Sequence, residues 1–224
     1  MKTQVSHRVS VCIIDYHLGN LFSVKRACEL IGLRPIISSD PNVIRNSDAL
    51  ILPGVGAFAD AMRNLKNMKI DVAIKDHIND HKPFLGICLG LQLLFSESHE
   101  FGIHQGLGVI QGKVVRFQNE NRKLKVPQVG WNFIKKTGGL PDVVWGKTPL
   151  FDIDIKQRMY FVHSYYVVPE DKSVQLTETE YEGVKYCSSV FTKNIFACQF
   201  HPEKSSYEGL KIYKNWADFL EHKD

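Results

Sequence analysis

Short apolar runs alternate with segments of helical spacing through the first half of the chain, and this alternation constrains the fold most strongly. The runs lie at residues 9–15, 35–38, 49–52 and 83–87, and each has the length of a buried strand. A strand, a helix and a second strand in this order predict parallel strands joined by crossover helices. The sequence therefore predicts an α/β fold with a central, mostly parallel sheet flanked by helices.

Four segments among these runs have the apolar spacing of helices. Asn20 is a suitable N-cap for the first of them, and Gly32 lies just beyond its end. Further helices are predicted over residues 57–66, 70–80 and 88–96.

The second half is richer in β-branched and aromatic residues, which predicts strands. These strands are predicted over residues 109–117, 131–135, 160–168, 173–179, 184–191 and 195–200. A closing helix is predicted from about Ser206. We expect antiparallel strands added to the core sheet, all within one domain spanning residues 1–224.

Composition limits the partners and the compartment. The 28 Lys and Arg residues against 24 Asp and Glu give a net charge of only +4. The sequence contains no block of Lys and Arg of the kind that binds nucleic acid, so a nucleic-acid partner is not expected. The longest stretch without charged side chains, residues 83–96, is shorter than the roughly 20 residues that cross a membrane. Five cysteines without CxxC spacing predict reduced thiols in the cytoplasm, with no disulfide framework and no metal site.

The segment Gly86-Ile87-Cys88-Leu89-Gly90 joins a predicted strand to a predicted helix. It has the pattern of a nucleophile elbow with cysteine in place of serine, and the N-terminus of a helix favours a thiolate. A cysteine merely packed in an apolar junction is the alternative. Core packing is the interpretation of the other four cysteines, Cys12, Cys28, Cys187 and Cys198.

A nucleophilic cysteine needs a base, and the base needs an orienting group. His201 ends a predicted strand and precedes Pro202, which favours extended backbone and would turn His201 and Glu203 the same way. His201 could instead only cap a loop, and His163 is a second candidate with poor orienting neighbours. The remaining histidines are expected to be solvated: His7, His77, His81, His99, His104 and His222.

Gly54 and Gly56 flank Val55 after another predicted strand. Glycines allow a close backbone approach or a reoriented peptide, so an oxyanion donor is one interpretation, and a simple strand-to-helix turn is the other.

Two motifs resemble those of class I (triad) glutamine amidotransferases: Gly86-Ile87-Cys88-Leu89-Gly90-Leu91-Gln92 and Gln199-Phe200-His201-Pro202-Glu203-Lys204-Ser205. Within that family, further motifs resemble the glutaminase subunits of imidazole glycerol phosphate synthases: Asp15-Tyr16, Gly19-Asn20-Leu21, Leu52-Pro53-Gly54-Val55-Gly56-Ala57-Phe58, Gly130-Trp131-Asn132 and Tyr160-Phe161-Val162-His163-Ser164-Tyr165. The motifs span residues 15–205, nearly the whole chain.

The resemblance implies an L-glutamine-hydrolysing triad with no cofactor. Cys88 would form a thioester, His201 would protonate the departing ammonia and activate water, and Glu203 would orient His201. Leu89 and Val55 would supply the oxyanion N–H groups. The family also implies a glutamine pocket, in which Gln92 and Glu100 would lie one and three helical turns beyond Cys88: Gly54, Gln92, Glu100, Ser164 and Tyr165.

The resemblance further implies a heterodimer with a TIM-barrel cyclase, through which ammonia passes to make imidazole glycerol phosphate and AICAR in histidine biosynthesis. Asn20, Trp131 and Lys204 lie in the motifs near that interface. Two positions depart from the family pattern, because His17 replaces a usual glycine and Gln128 replaces a usual histidine.

Three other functions stay open. A paralogue could supply ammonia to a sugar amidotransferase in surface-polysaccharide synthesis. The two departures count towards this alternative, and the cyclase partner stays the leading interpretation. A binding protein with a degraded site and a cysteine peptidase are less consistent with the complete triad motifs and with Gln92 and Glu100.

Overall fold

The computed structural model describes residues 9–118, 124–154 and 156–221. The strands are β1 Val11–Ile14, β2 Ile36–Ser38, β3 Ala49–Gly54, β4 Phe84–Cys88, β5 Phe95–Ser98, β6 His104–Gln105, β7 Ile110–Arg116, β8 Gln128–Phe133, β9 Lys135–Lys136, β10 Arg158–His163, β11 Tyr165–Pro169, β12 Gln175–Tyr181, β13 Val184–Thr192 and β14 Ile195–Cys198. The helices are α1 Leu21–Leu30, α2 Pro41–Asn46, α3 Phe58–Asn67, α4 Ile70–Asn79, α5 Leu89–Leu93, α6 Asp142–Trp145 and α7 Ser206–Glu221.

The main sheet has twelve strands, and its core is parallel. Its order is β2-β1-β3-β4-β14-β13-β11-β7-β5-β6, with β12 beside β13 and β9 beside β12. The strands from β2 to β14 run parallel, and those from β14 to β7 pair in antiparallel fashion. β8 and β10 form a separate antiparallel pair. The predicted fold class, a mostly parallel sheet with added antiparallel strands, is confirmed.

The parallel strands end together at one edge of the sheet. Every residue of β1, β3, β4 and β14 is buried, since core side chains cover both faces. In register, Gly54 of β3 lies beside Cys88 of β4, and Cys198 of β14 lies beside Ile87. Ligands of such sheets bind beyond the carboxyl ends of the strands, so this edge is where a site is expected.

The helix predicted over residues 88–96 is wrong in its second half. α5 ends at Leu93, and the chain continues as β5, which pairs with β7. The carbonyl of Leu93 accepts the N–H of Leu107 at 2.8 Å, and that of Leu94 accepts the N–H of Ile110 at 3.0 Å. Because these carbonyls accept hydrogen bonds from another segment, the helix does not continue past Leu93. The sequence is ambiguous here, since an apolar run alone does not distinguish a buried helix from a buried strand.

Other predicted boundaries also differ. The strand predicted over residues 160–168 is divided at Ser164 into β10, which pairs with β8, and β11, which pairs with β7. β2 was expected to be buried but is an edge strand, with Ile36 and Ile37 exposed. Four short elements are observed where none is predicted: α2, α6, β6 and β9.

Candidate active site

Cys88 lies at a sharp turn between β4 and α5, at the carboxyl edge of the sheet. Its backbone has φ 55° and ψ −107°, a conformation that a residue with a side chain rarely adopts. A Cβ on Gly86 would lie 2.9 Å from the Cβ of Ala197, and a Cβ on Gly90 would lie 1.9 Å from the carbonyl oxygen of Leu52. Gly86 therefore allows β4 to approach β14, and Gly90 allows α5 to approach β3, more closely than any residue with a side chain would.

His201 follows β14, the strand beside β4, and it lies in a fixed position. Its backbone N–H donates to the carbonyl of Tyr160 at 2.9 Å, and its own carbonyl accepts the hydroxyl of Ser205 at 2.7 Å. Its ring Nδ1 donates to Oε1 of Glu203 at 2.8 Å, and both side chains are almost completely buried. The predicted pairing of His201 with Glu203 is present, but its reason differs, because residues Pro202–Lys204 form a 3-10 turn rather than an extended chain.

The charge on His201 is coupled to Cys88. Burial disfavours an imidazolium, but the Cys88 sulfur and the Glu203 carboxylate favour it more strongly and raise the pKa of His201 to about 10. The other ring nitrogen, Nε2, is buried and has no hydrogen-bond partner of ordinary geometry in the described part of the chain. The arrangement is suited to a thiolate–imidazolium pair oriented by a carboxylate.

The two residues expected to supply oxyanion N–H groups lie next to Cys88, one in α5 and the other after β3. Leu89 is the first residue of α5 and is buried. Val55 follows Gly54, the residue of β3 that lies in register with Cys88, and its side chain is exposed. A Cβ on Gly54 would lie 2.3 Å from the hydroxyl of Tyr16, so this position too requires glycine.

Gln92 lies one turn into α5, and its side chain connects Tyr165 to Cys88 through Gln199. Its Nε2 donates to the carbonyl of Tyr165 at 3.0 Å and to Oε1 of Gln199 at 3.0 Å. Nε2 of Gln199 donates to the Cys88 sulfur at 3.5 Å. Gln199 was not singled out from the sequence, although it stands two residues before His201 and alternation places both on one face of the chain.

Glu100 lies after β5 rather than on a helix three turns beyond Cys88, which corrects the expectation. Its Oε2 accepts the N–H of Phe58, the first residue of α3, at 2.5 Å. Its charge still acts on Tyr165, because burial and the Glu100 carboxylate together raise the pKa of that tyrosine. Ser164 occupies the break between β10 and β11, where its carbonyl accepts the N–H of Phe117 at 3.1 Å.

His163 does not have the arrangement of a general base. Its Nδ1 donates to the carbonyl of Tyr165 at 2.8 Å, and its Nε2 lies 3.3 Å from the hydroxyl of Tyr186. Burial lowers the pKa of His163 to about 4, so the ring is neutral at ordinary pH.

Among the six histidines expected to be solvated, one is buried and two lie outside the described residues. His77 is completely buried, with Nε2 3.0 Å from the carbonyl of Pro83, where a solvated ring was expected. The helical apolar spacing of α4 places it on the buried face. His7 and His222 lie outside the described residues.

The other cysteines are buried and unpaired, as their apolar surroundings predict. All five are free thiols. Burial raises the pKa of Cys12 to about 11 and those of Cys28 and Cys187 to about 12, which leaves them unreactive. Among the residues that the structure describes, no group of three or more His, Cys, Asp or Glu side chains is placed to hold a metal ion.

The two departures from the family pattern are accommodated differently. His17 has φ 70°, a conformation that favours glycine, and its N–H donates to Oδ1 of Asp15 at 2.9 Å. Gln128 is buried at the start of β8, where its Oε1 accepts the hydroxyl of Tyr186 at 2.9 Å.

The three residues expected at a partner interface lie around the same edge of the sheet. Asn20 caps α1 by accepting the N–H of Ser23 at 3.3 Å. The half-exposed ring of Trp131 lies 5.8 Å from that of Tyr160, and the Lys204 ammonium lies 5.5 Å from the same ring. The Tyr160 ring lies 6.3 Å from the His201 ring, so this surface extends to His201.

Comparison with known proteins identifies close relatives. The profile of the family described as Glutamine amidotransferase class-I matches residues 12–218. Proteins named imidazole glycerol phosphate synthase subunit HisH from Syntrophotalea carbinolica and Aquifex aeolicus are 47% and 46% identical to this chain. The first alignment covers 93% of this chain and 99% of that protein, and the second covers 91% and 94%.

Solved structures agree on the fold. The Thermotoga maritima PurLQS structure has a TM-score of 0.67 at 18% identity, covering 95% of this chain and 99% of that one. A glutamine amidotransferase from the same organism has a TM-score of 0.60 at 17% identity, covering 96% and 85%. No helix in the described ranges has both the length and the apolar character needed to cross a membrane. The chain belongs to the class I glutamine amidotransferase family.

Proposed function

We propose that this chain, acting as one glutaminase domain over residues 1–224, hydrolyses L-glutamine to glutamate and ammonia for a partner enzyme. The observation that carries the proposal is the position of Cys88 at a strained elbow beside a buried His201–Glu203 pair. Free cysteines throughout support a cytoplasmic location.

The reaction proceeds in two halves. The Cys88 thiolate attacks the side-chain amide carbon of glutamine, and the N–H groups of Leu89 and Val55 stabilise the oxyanion. His201 donates its proton to the departing ammonia, which leaves a thioester. The neutral ring then takes a proton from water, and the hydroxide attacks the thioester. The C–S bond breaks, which releases glutamate and restores the Cys88 thiolate beside the protonated ring. Glu203 keeps the ring oriented in both halves.

The hydrogen bonds of Gln92 support its assignment to the α-amino end of the substrate. Both N–H bonds of its amide are already used, on Tyr165 and on Gln199. Oε1 is therefore left as an acceptor, which suits an ammonium donor. The Glu100 carboxylate adds negative charge near Tyr165, and Gly54 and Ser164 complete the pocket.

The acceptor of the ammonia is a TIM-barrel cyclase subunit, with which the chain forms a heterodimer in histidine biosynthesis. Support comes from relatives named imidazole glycerol phosphate synthase subunit, which cover more than nine-tenths of this chain. The exposed aromatic surface formed by Trp131 and Tyr160 next to His201 supports docking on this side. Asn20 and Lys204 would flank the contact.

The proposal is tested by measuring glutamate release from glutamine with and without the histidine-pathway cyclase subunit loaded with its nucleotide ligand. We expect a large increase with the loaded cyclase and no release by Cys88→Ala. A protein that forms the thioester but does not respond to the cyclase would point to another ammonia acceptor, the sugar amidotransferase first. Unchanged release by Cys88→Ala would contradict the triad itself.

A further inference from the structure

A buried amide without an assigned role contacts the nucleophile directly. Gln199 is completely buried, lies one residue past β14, and has its side chain between Gln92 and Cys88. Its Oε1 accepts Nε2 of Gln92 at 3.0 Å, and its Nε2 donates to the Cys88 sulfur at 3.5 Å. Burying an amide costs free energy unless its groups are paired, and here the pairing partner is the reacting atom.

The direction of these hydrogen bonds is fixed by a backbone carbonyl. The carbonyl oxygen of Tyr165 can only accept, so the group that Gln92 presents to it must be the amide nitrogen. The same nitrogen faces Gln199, which must therefore present its oxygen to Gln92 and its nitrogen to Cys88. His163 Nδ1 donates to the same Tyr165 oxygen at 2.8 Å, which uses the remaining acceptor capacity and reinforces this direction.

We propose that Gln199 is a catalytic residue that donates a hydrogen bond to the Cys88 sulfur and stabilises it as the thiolate. A thiolate accepts an N–H bond far better than a thiol does, and hydrogen bonds to charged groups are the stronger ones. The donor cannot rotate away, because its oxygen is held by Gln92. His201 and Gln199 thus stabilise the sulfur in two ways, one by charge and the other by a neutral donor.

The chain of donors also joins the nucleophile to the substrate pocket. The amide nitrogen of Gln92 donates to Gln199, and the amide oxygen of Gln92 is left to accept a hydrogen bond from a bound substrate. A substrate bound in this way would fix the Gln92 amide more firmly, and with it the orientation of Gln199. This coupling rests on the proposed glutaminase function, whereas the effect of Gln199 on the free thiolate does not.

The test measures alkylation of Cys88 by iodoacetamide as a function of pH, followed by mass spectrometry of the modified peptide. In Gln199→Met, which keeps the size but removes the donor, we expect alkylation at pH 7 to be about tenfold slower. The rate at high pH should match that of the wild type, because the variant changes the thiolate fraction and not access to the sulfur.

Gln199→Glu is the second variant, because it keeps the shape of the side chain. Its carboxylate cannot donate and places negative charge beside the sulfur, so alkylation at neutral pH should be slower still. Asn215→Leu is the matched control: it removes another buried amide, which donates to the carbonyl of Pro149 at 3.0 Å, and should alkylate like the wild type.

The proposal is overturned if either folded Gln199 variant alkylates with the wild-type pH dependence. It is also overturned if the rate falls equally at every pH, since that would indicate lost access. Because alkylation needs neither glutamine nor a partner, a wild-type protein with a reactive Cys88 and no glutamine hydrolysis would contradict the proposed function alone.

Discussion

Two buried histidines near Cys88 have opposite charge preferences, and the groups that face each ring explain why. His201 faces a carboxylate and a sulfur, and its pKa is raised. His163 faces a carbonyl and a hydroxyl, neither of which compensates for burial, and its pKa is lowered. One ring is therefore available for proton transfer, and the other is a neutral structural element.

Replacing Cys88 by alanine should lower the pKa of His201. The sulfur is a main cause of the raised value, and without it burial opposes the charge with only Glu203 to compensate. The wild-type ring should stay protonated until the pH approaches about 10, whereas the variant should titrate closer to the ordinary value of about 6.5. NMR titration of the His201 ring protons measures this, and identical titration curves would show that the sulfur carries no charge.

His163 should make the protein sensitive to acid. Its folded pKa lies below its unfolded value, so the unfolded state binds more protons between about pH 6.5 and pH 4, and stability falls as the pH falls through this window. The expected loss is roughly 3 kcal/mol. Urea unfolding of wild type and His163→Gln at pH 7 and pH 4 checks this, because the variant should lose less stability in acid.

At the scale of elements, the elbow depends on backbone approaches that no other residue permits. Gly90→Ala should destabilise the protein by about 3 kcal/mol or more, since the new Cβ would lie 1.9 Å from the backbone oxygen of Leu52. Gly138→Ala is the control, because nothing lies within 4 Å of its added Cβ. Thermal unfolding of both variants measures the effect, and equal melting temperatures would contradict the close packing of α5 on β3.

Periodicity predicted the long elements and missed those whose ends are set by distant contacts. The helices predicted over residues 57–66 and 70–80 are observed as α3 Phe58–Asn67 and α4 Ile70–Asn79. In contrast, α5 ends at Leu93, where the carbonyls of Leu93 and the following Leu94 accept the N–H groups of Leu107 and Ile110. Nothing in the sequence near residue 88 indicates those partners.

The same distinction applies to the site. Cys88, His201 and Glu203 could be predicted as a candidate triad from motif and resemblance, because each lies in a short local pattern. The role proposed for Gln199 could not be predicted in this way, because it depends on contacts with Gln92 and Cys88, which come from another part of the chain. Likewise, the sequence predicts extended backbone between His201 and Glu203, whereas the structure has a 3-10 turn there.

At the scale of the whole molecule, Trp131 should contribute to partner binding. Trp131→Asp should weaken association with the cyclase subunit at least tenfold, because aromatic side chains at the centre of an interface carry much of the binding energy. Isothermal titration calorimetry measures the dissociation constant. Val72→Asp, a charge placed on an exposed apolar residue of α4, is the control and should bind like the wild type.

The last strand of the chain lies in the middle of the sheet, and this order of strands has a consequence during synthesis. β14 pairs with β4 on one side and β13 on the other, so His201 can reach Cys88 only when residues 89–201 have been made. A growing chain contains Cys88 early, but it contains Gln199 and His201, whose side chains lie against the sulfur, only later. The hydrogen bond to the Cys88 sulfur and the raised pKa of His201 therefore become possible only late in synthesis, after β14 has been made.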